Sequence, residues 1–234
     1  MSESAELPMN FGGIDESQYS DLDTAKILIL PVSYEGTVSY GTGTGAGAMA
    51  IIDASRNMEL YEEETDAEVY RLGIHTLPEF TPRETPRSMM DDLYGYSKKL
   101  LELDKFICMF GGGHSVSAPI IRAHNEKYEN LSVLQIDAHA DLRESFEGFR
   151  YSHASIMHNV MTRLPDVAKL VQVGIRDFGE AEYEMIRGSE GRIHTFFDAR
   201  LSRARLDGMP WREQVGRIHP DDAEVEVRPG SKAH

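Results

Sequence analysis

Three residues with metal-binding side chains alternate directly after an apolar segment of this 234-residue chain. Asp137, His139 and Asp141 follow residues 131–136, which read Leu-Ser-Val-Leu-Gln-Ile. Side chains at positions i, i+2 and i+4 of an extended chain point to the same face. We therefore expect the three side chains to converge beyond the end of a strand, provided that the backbone stays extended that far. Two carboxylates and one imidazole suit a hard or borderline divalent cation such as Mn(II).

A second segment has the same form. Residues 106–110 are apolar and are followed by Gly111-Gly112-Gly113-His114-Ser115. This order predicts that His114 lies at the end of a neighbouring strand, and sites in open α/β sheets form at the carboxyl ends of strands. An isolated histidine is more often a surface or core residue than a ligand, but the paired patterns favour a ligand role for His114 and His139. Asp137 has the alternative role of a strand-end cap.

Apolar segments alternate with helical patterns along most of the chain. We predict strands at 26–32, 69–77, 106–110, 131–136, 168–173 and 193–197, separated by helices at 48–58, 88–102, 115–128, 152–162 and 180–187. Such alternation indicates a parallel sheet covered on both faces, in one large α/β domain of residues 25–216. The polar segments 1–24 and 217–234 are predicted to be a flexible arm and a polar tail.

Composition limits the possible partners and compartments. The net charge of −15 argues against nonspecific nucleic-acid binding and favours a cationic small molecule. No apolar run reaches membrane-spanning length, and the first residues show no secretory signal. The single cysteine, Cys108, is expected in the core, and one cysteine fits a reducing compartment. We therefore expect a cytoplasmic protein.

These motifs resemble those of the ureohydrolase family, which includes arginase and agmatinase. Gly-Gly-Gly-His114-Ser is similar to the family's Gly-Gly-x-His-Ser motif, and residues 137–141 are similar to its Asp-Ala-His-x-Asp motif. Residues 36–41, Tyr151-Ser-His153-Ala and residues 172–176 are further matches, so the resemblance spans about residues 25–215. It implies a three-layer αβα fold with a mostly parallel, doubly wound sheet.

The resemblance also implies a chemistry. Family members hold two Mn(II) ions per active site, with a hydroxide that attacks a guanidinium carbon. Asp137 would bridge both metals, His114 and Asp141 would complete one metal, and His139 would bind the other. His153 matches the histidine proposed to pass a proton to the leaving amine, although it could instead begin or cap a helix.

The residues after the metal motif distinguish substrates within the family. Here Asp141 is followed by Leu142-Arg143, which looks like agmatinases and not like the asparagine-containing pattern of arginases. The resemblance therefore implies hydrolysis of agmatine, a small cationic guanidino compound, to putrescine and urea. It further implies a homo-oligomer, since family members are commonly trimers or hexamers.

One family motif has no counterpart in this chain. The family carries Ser-x-Asp-x-Asp on a later strand, whereas no Asp-x-Asp occurs after Asp141. We therefore expect the C-terminal strands of the fold to be missing, and the metals to be held by fewer ligands with weak or no activity. The alternatives are a noncatalytic metal-binding or partner-binding remnant of the fold, or a hydrolase for arginine or guanidinobutyrate.

Overall fold

A computed structural model describes residues 7–83 and 85–218. Their contacts divide the chain into two compact units, and each is described by itself. Unit 1 contains the described residues up to Ala123 together with Tyr151–His153. Unit 2 contains His124–Arg150 and the described residues from Ala154 onward. The predicted domain 25–216 is thus divided between the two units.

Unit 1 is built on a three-stranded parallel sheet in the order β2-β1-β3. Its strands are β1 (Ile27–Val32), β2 (Ile74–Thr76) and β3 (Phe106–Gly111). The central strand β1 reads Ile-Leu-Ile-Leu-Pro-Val, and five of its six residues are buried. Such a continuous apolar run is typical of a parallel strand that is covered on both faces.

Helix α3 (Pro86–Leu101) has a well-defined start, and its apolar face packs against this sheet. Its first residue is Pro86, and the preceding Thr85 accepts a hydrogen bond from the Ser88 N–H at 3.1 Å, which is a typical N-cap. Met89 and Leu93 of α3 are buried in one cluster with residues of β1. Burial of each such side chain contributes about 1.5–3 kcal/mol. The helices in this half of the chain are α1 (Ser17–Ser20), α2 (Gly47–Ser55), α3 (Pro86–Leu101) and α4 (Ser117–Lys127), with 3-10 turns at Phe11–Gly13, Thr44–Ala46, Val69–Leu72 and His114–Val116.

The described part of the predicted N-terminal arm packs within unit 1. Ile14 is buried, and its backbone N–H and carbonyl both bond to the side chain of Asn10 at 2.8 Å. The Gly12 N–H donates to the Ser55 hydroxyl at the end of α2. The burial of Ile14 and the Gly12–Ser55 hydrogen bond attach this segment to the unit, and a composition argument detects neither of them.

Unit 2 is built on a second three-stranded parallel sheet in the order β4-β5-β6. Its strands are β4 (Ser132–Ile136), β5 (Lys169–Ile175) and β6 (Ile193–Phe197). The register shifts at Gly174, whose φ is +88° and whose Cβ, if present, would lie 3.3 Å from the Asp137 carbonyl oxygen. Glycine adopts such a positive φ without the cost that a side chain imposes. The later helices are α5 (Ile156–Arg163), α6 (Glu180–Arg187), α7 (Asp198–Leu206) and α8 (Trp211–Arg217), with a 3-10 turn at His153–Ser155.

Strand β4 lies at the edge of its sheet. Among the described strands it pairs only with β5. Leu134 and Ile136, which point to the same side of the strand, are 59% and 78% exposed. An apolar strand that the sequence predicts to be covered on both faces is therefore open to solvent along one side.

The predicted alternation of parallel strands and helices is confirmed. The main change is in the second predicted strand, where Val69–Leu72 forms a 3-10 turn that ends at Gly73 and leaves only Ile74–Thr76 as strand. Cys108 is half-buried in β3 and so does not lie in the core. The predicted tail begins within α8, which extends through Arg217, and residues 219–234 lie outside the described residues. Within the two described ranges, no helix has both the length and the hydropathy needed to cross a membrane.

Candidate functional site

In unit 1, the backbone before His114 is fixed by a close approach of two chain segments. The Gly113 N–H donates to the Tyr34 carbonyl at 2.7 Å, and the Gly112 N–H donates to the Val32 carbonyl at 3.1 Å. A Cβ on Gly112 would lie only 2.2 Å from the Tyr34 carbonyl oxygen, so no side chain fits at this position. His114 follows at once and begins a 3-10 turn after the end of β3, where the sequence predicts it.

The second histidine of interest in unit 1, His153, is oriented by Thr37. Its Nδ1 atom donates to the Thr37 carbonyl at 2.7 Å, since a carbonyl oxygen can only accept. In the neutral ring this tautomer carries its lone pair on Nε2. The Thr37 hydroxyl in turn donates to the Ser115 hydroxyl at 3.3 Å, and both of these side chains are buried. Thr37 therefore connects His153 with the residue that follows His114.

In unit 2, Asp137 lies directly after β4 and its carboxylate is held from two sides. The His139 backbone N–H donates to Oδ1 at 2.9 Å, and the Gln135 side-chain amide donates to Oδ2 at 3.3 Å. Hydrogen bonds of this kind orient a carboxylate before any ligand arrives.

Asp141 reaches the neighbourhood of Asp137 by a turn and not by extended alternation. Its φ is +54°, in the left-handed region, and the residue is 5% exposed. Its carbonyl accepts the N–H groups of Met157 and His158 at the start of α5, at 3.0 and 3.1 Å. One carboxylate oxygen of Asp141 lies within 4.8 Å of one of Asp137. The condition of an extended backbone thus fails at residue 141, yet the two carboxylates lie close together.

The third residue of the motif, His139, lies near Asp137 but is much more exposed, at 61% of its side chain. Its Nδ1 atom is 3.6 Å from Oδ1 of Asp137, and its Nε2 atom is 3.7 Å from Oδ2 of Asp177. Asp177 follows the end of β5 and was not anticipated from the sequence.

Two buried glutamines, Gln135 and Gln172, support the metal motif through hydrogen bonds. The Gln172 amide in β5 donates to the Gln135 side-chain oxygen and to the Ala140 carbonyl, each at 2.7 Å. The Thr195 hydroxyl in β6 donates to the Gln172 oxygen at 2.8 Å. A continuous series of hydrogen bonds therefore runs from β6 to Asp137. A glutamine inside an otherwise apolar strand was the signal that could have revealed this network.

Glu182 is a second buried polar group that the sequence analysis missed. Its carboxylate accepts the N–H of Leu142 at 3.0 Å and the N–H of Gly179 at 2.7 Å. The Arg143 Nε atom lies 3.5 Å from the same carboxylate. Glu182 thus fixes the loop that follows Asp141 and gives Arg143 a structural partner.

The donor set of unit 2 fits a divalent cation. Carboxylate oxygens are preferred by hard cations, imidazole nitrogen by borderline ones, and Mn(II) accepts both. The adjacent Asp137 and Asp141 carboxylates, with the Asp137 oxygens already oriented, offer such a cation oxygen ligands without large rearrangement.

Comparisons with known proteins identify the family of this chain. Residues 25–215 match the family model described as the Arginase family. The N(1)-aminopropylagmatine ureohydrolase of Thermus thermophilus is 33% identical over 192 residues, which cover 80% of this chain and 62% of that protein. The agmatinase of Bacillus cereus is 31% identical over 79% of this chain and 64% of its own length.

A solved structure supports the fold independently. The agmatine ureohydrolase of Thermoplasma volcanium superposes with a TM-score of 0.73 at 21% identity, and the match covers 92% of this chain and 69% of that one. At this identity the likeness concerns the fold alone. The chain spans about three fifths of the length of the curated relatives described above.

Proposed function

The chain belongs to the arginase family, and we propose on this premise that it is a metal-dependent hydrolase of a small cationic guanidino compound. The observation that carries the proposal is the pair of adjacent carboxylates, Asp137 and Asp141, within a motif that resembles the family's metal motif. We further propose Mn(II) as the metal, with His114, Asp137, His139 and Asp141 as its ligands and a pair of ions per site. We also propose that the protein is cytoplasmic, as predicted from its single cysteine.

In the proposed reaction each of these residues has a separate role. Asp137 and Asp141 provide carboxylate oxygens, and His114 and His139 provide imidazole nitrogens. When bound, the metal ions supply a water of lowered pKa that can attack a guanidinium carbon at neutral pH. His153 would take up on Nε2 the proton that the attacking water loses and give it to the departing amine nitrogen. The C–N bond to that nitrogen would then break, releasing the amine and leaving the guanidino carbon as urea. The hydrogen bond from Nδ1 of His153 to Thr37 supports Nε2 as the atom that carries this proton.

The substrate is proposed to be agmatine or its N1-aminopropyl derivative. Relatives named for these two compounds are 31% and 33% identical to this chain. The net charge of −15 favours a cationic substrate. The guanidinium of Arg143, which follows the metal motif, lies beside the buried Glu182, and this favours a structural role over recognition of a substrate carboxylate.

A noncatalytic, metal-binding or partner-binding role is the second candidate, because no Asp-x-Asp follows Asp141 in the sequence. Elemental analysis of the purified chain after incubation with Mn(II), together with a urea-release assay, separates the two. About two Mn(II) per chain and urea from agmatine or N1-aminopropylagmatine would support the hydrolase. About one ion or none, with no urea from any guanidine, would support the noncatalytic role.

The same assay tests the substrate. Arginine and guanidinobutyrate are assayed beside the two amines at equal concentration, and release of urea from these alone would contradict the proposed substrate class. We also propose that the chain forms a homo-oligomer, as the family resemblance implies. Light scattering of the same preparation tests this, and a single-chain mass would contradict it.

A further inference from the structure

The imidazole of His139 lies between two carboxylates, one beside each ring nitrogen. Nδ1 is 3.6 Å from Asp137, and Nε2 is 3.7 Å from Asp177. The backbone maintains this arrangement, because His139 and Asp177 form an isolated parallel bridge and the Asp177 N–H donates to the Ala138 carbonyl at 3.0 Å. The side-chain pair is therefore a consequence of where β4 and β5 end.

The two ring nitrogens cannot have the same role. A neutral imidazole has one nitrogen with a lone pair, which can bind a metal, and one N–H, which can only donate. Asp137 lies on the Nδ1 side, so Nδ1 is the nitrogen that would bind a metal shared by Asp137 and His139. Nε2 would then carry the proton, and it lies 3.7 Å from Oδ2 of Asp177, slightly longer than a hydrogen bond. A small movement of the exposed Asp177 side chain would bring its carboxylate within reach of the Nε2–H.

We propose that Asp177 is a positioning residue that accepts the Nε2–H of His139 and thereby directs the Nδ1 lone pair toward the metal shared with Asp137. This inference rests on the proposed function, since it takes His139 as a metal ligand. Metal-binding histidines in proteins commonly donate their second N–H to a carboxylate, and this contact fixes the tautomer and the ring orientation. Packing restrains the His139 ring little, because 61% of its side chain is exposed, so a carboxylate partner would contribute strongly to its orientation.

The test is a Mn(II) titration of the purified full chain, with free Mn(II) followed by electron paramagnetic resonance. Loss of the carboxylate in Asp177→Ala is expected to weaken Mn(II) binding about 10- to 100-fold. Asp177→Asn keeps an acceptor oxygen and is expected to recover most of the affinity. Asp166→Ala is the matched control, because Asp166 is an exposed aspartate that precedes β5, at the opposite end of the same strand. It is expected to bind Mn(II) like the original chain.

A double-mutant cycle with His139→Ala separates positioning from direct metal binding. If Asp177 acts through His139, adding Asp177→Ala to His139→Ala causes no further loss of affinity. A further loss of tenfold or more would overturn the proposal and identify Asp177 as a ligand. Unchanged affinity in Asp177→Ala alone would overturn it as well.

The outcomes also distinguish this inference from the proposed function. Loss of affinity in Asp177→Ala, with no urea released by the original chain, would leave the positioning role standing and remove the hydrolase. Urea release by the original chain, with normal Mn(II) binding by Asp177→Ala, would support the hydrolase and remove the positioning role of Asp177. Failure of the original chain to bind Mn(II) would overturn both.

Discussion

The side-chain amide of Gln172 donates to the side-chain oxygen of Gln135 at 2.7 Å, and so connects the central strand of unit 2 with the strand that ends in the metal motif. Gln172 is fully buried, and each of its polar atoms has a partner. A buried amide is tolerated only when it is satisfied in this way. The pair therefore links the interior of the sheet to the orientation of Asp137.

Replacing Gln172 with leucine should destabilise unit 2. The substitution leaves the Gln135 oxygen, the Ala140 carbonyl and the Thr195 hydroxyl without their buried partner, at a cost of about 1–3 kcal/mol for the first unsatisfied group. We expect the free energy of unfolding in urea to fall by about 2 kcal/mol or more. Thr195→Val removes only the last member of the network and should cost about 1 kcal/mol. Equal stability of Gln172→Leu and the original chain would show that the network is not needed.

Replacing Gly112 with alanine should disrupt the segment before His114. The new Cβ would lie 2.2 Å from the Tyr34 carbonyl oxygen and 3.1 Å from the Gly45 Cα, so backbone must move. We expect a loss of about 2–3 kcal/mol in the free energy of unfolding, monitored by circular dichroism. Gly95→Ala is the control, because this glycine lies inside α3 with open space around it and should gain about 0.5–1 kcal/mol. A similar effect of both substitutions on the free energy of unfolding would argue against the close approach of Gly112 to the Tyr34 carbonyl.

Replacing His153 with alanine should lower turnover without releasing the metal. If this histidine carries the proton to the leaving amine, kcat for urea release should fall by about 100-fold or more. Mn(II) content should stay constant, and added imidazole should restore part of the rate. His124→Ala, on helix α4, is the control and should keep normal kcat. Loss of Mn(II) in His153→Ala would instead indicate that the residue is a ligand or a structural support.

Tyr34 should make the protein less stable at alkaline pH. Burial raises the pKa of its phenol above the ordinary value of 10, and its hydroxyl has no hydrogen-bond partner among the described residues. Above pH 10 the unfolded chain loses this proton while the folded chain retains it. The folded state then binds more protons, so its stability falls as the pH rises, by at most about 1.4 kcal/mol per pH unit.

Tyr34→Phe should remove this part of the fall in stability above pH 10. At pH 8 the variant should be at least as stable as the original chain, because an unpaired buried hydroxyl is lost. Tyr40→Phe is the matched control, since Tyr40 is 97% exposed. The free energy of unfolding is measured by urea denaturation at each pH. If its alkaline slope is unchanged in Tyr34→Phe, the slope does not come from Tyr34. The pKa values of Tyr70, Tyr96 and Cys108 are also raised by burial, and that of Tyr61 is raised by its hydrogen bond to Asp66, so these groups contribute to the slope that remains.

The sequence predicted the strands and the positions of the motif residues because both depend on local patterns. Continuous apolar runs identify β1 and β5, and His114 and Asp137 follow the ends of β3 and β4 as expected. The left-handed backbone of Asp141 could not be predicted in this way. It depends on N–H groups donated by α5, which is distant in sequence from the strand that precedes the motif.

The supporting residues were missed for a similar reason. Glu182 is separated by 40 residues from Leu142, whose N–H it accepts, and it lies on a helix where a glutamate ordinarily faces solvent. Asp177 reaches His139 only because β4 and β5 are parallel neighbours that end at the same level. Such contacts follow from the pairing of strands and not from spacing along the chain.

The open side of β4 has a practical consequence for work with this protein in concentrated solution. Leu134 and Ile136 present an apolar row beside a strand edge, and such edges add strands from other molecules. We therefore expect self-association through this edge to rise steeply with protein concentration. Ile136→Lys should suppress it more than a lysine introduced at any site on the helical surface.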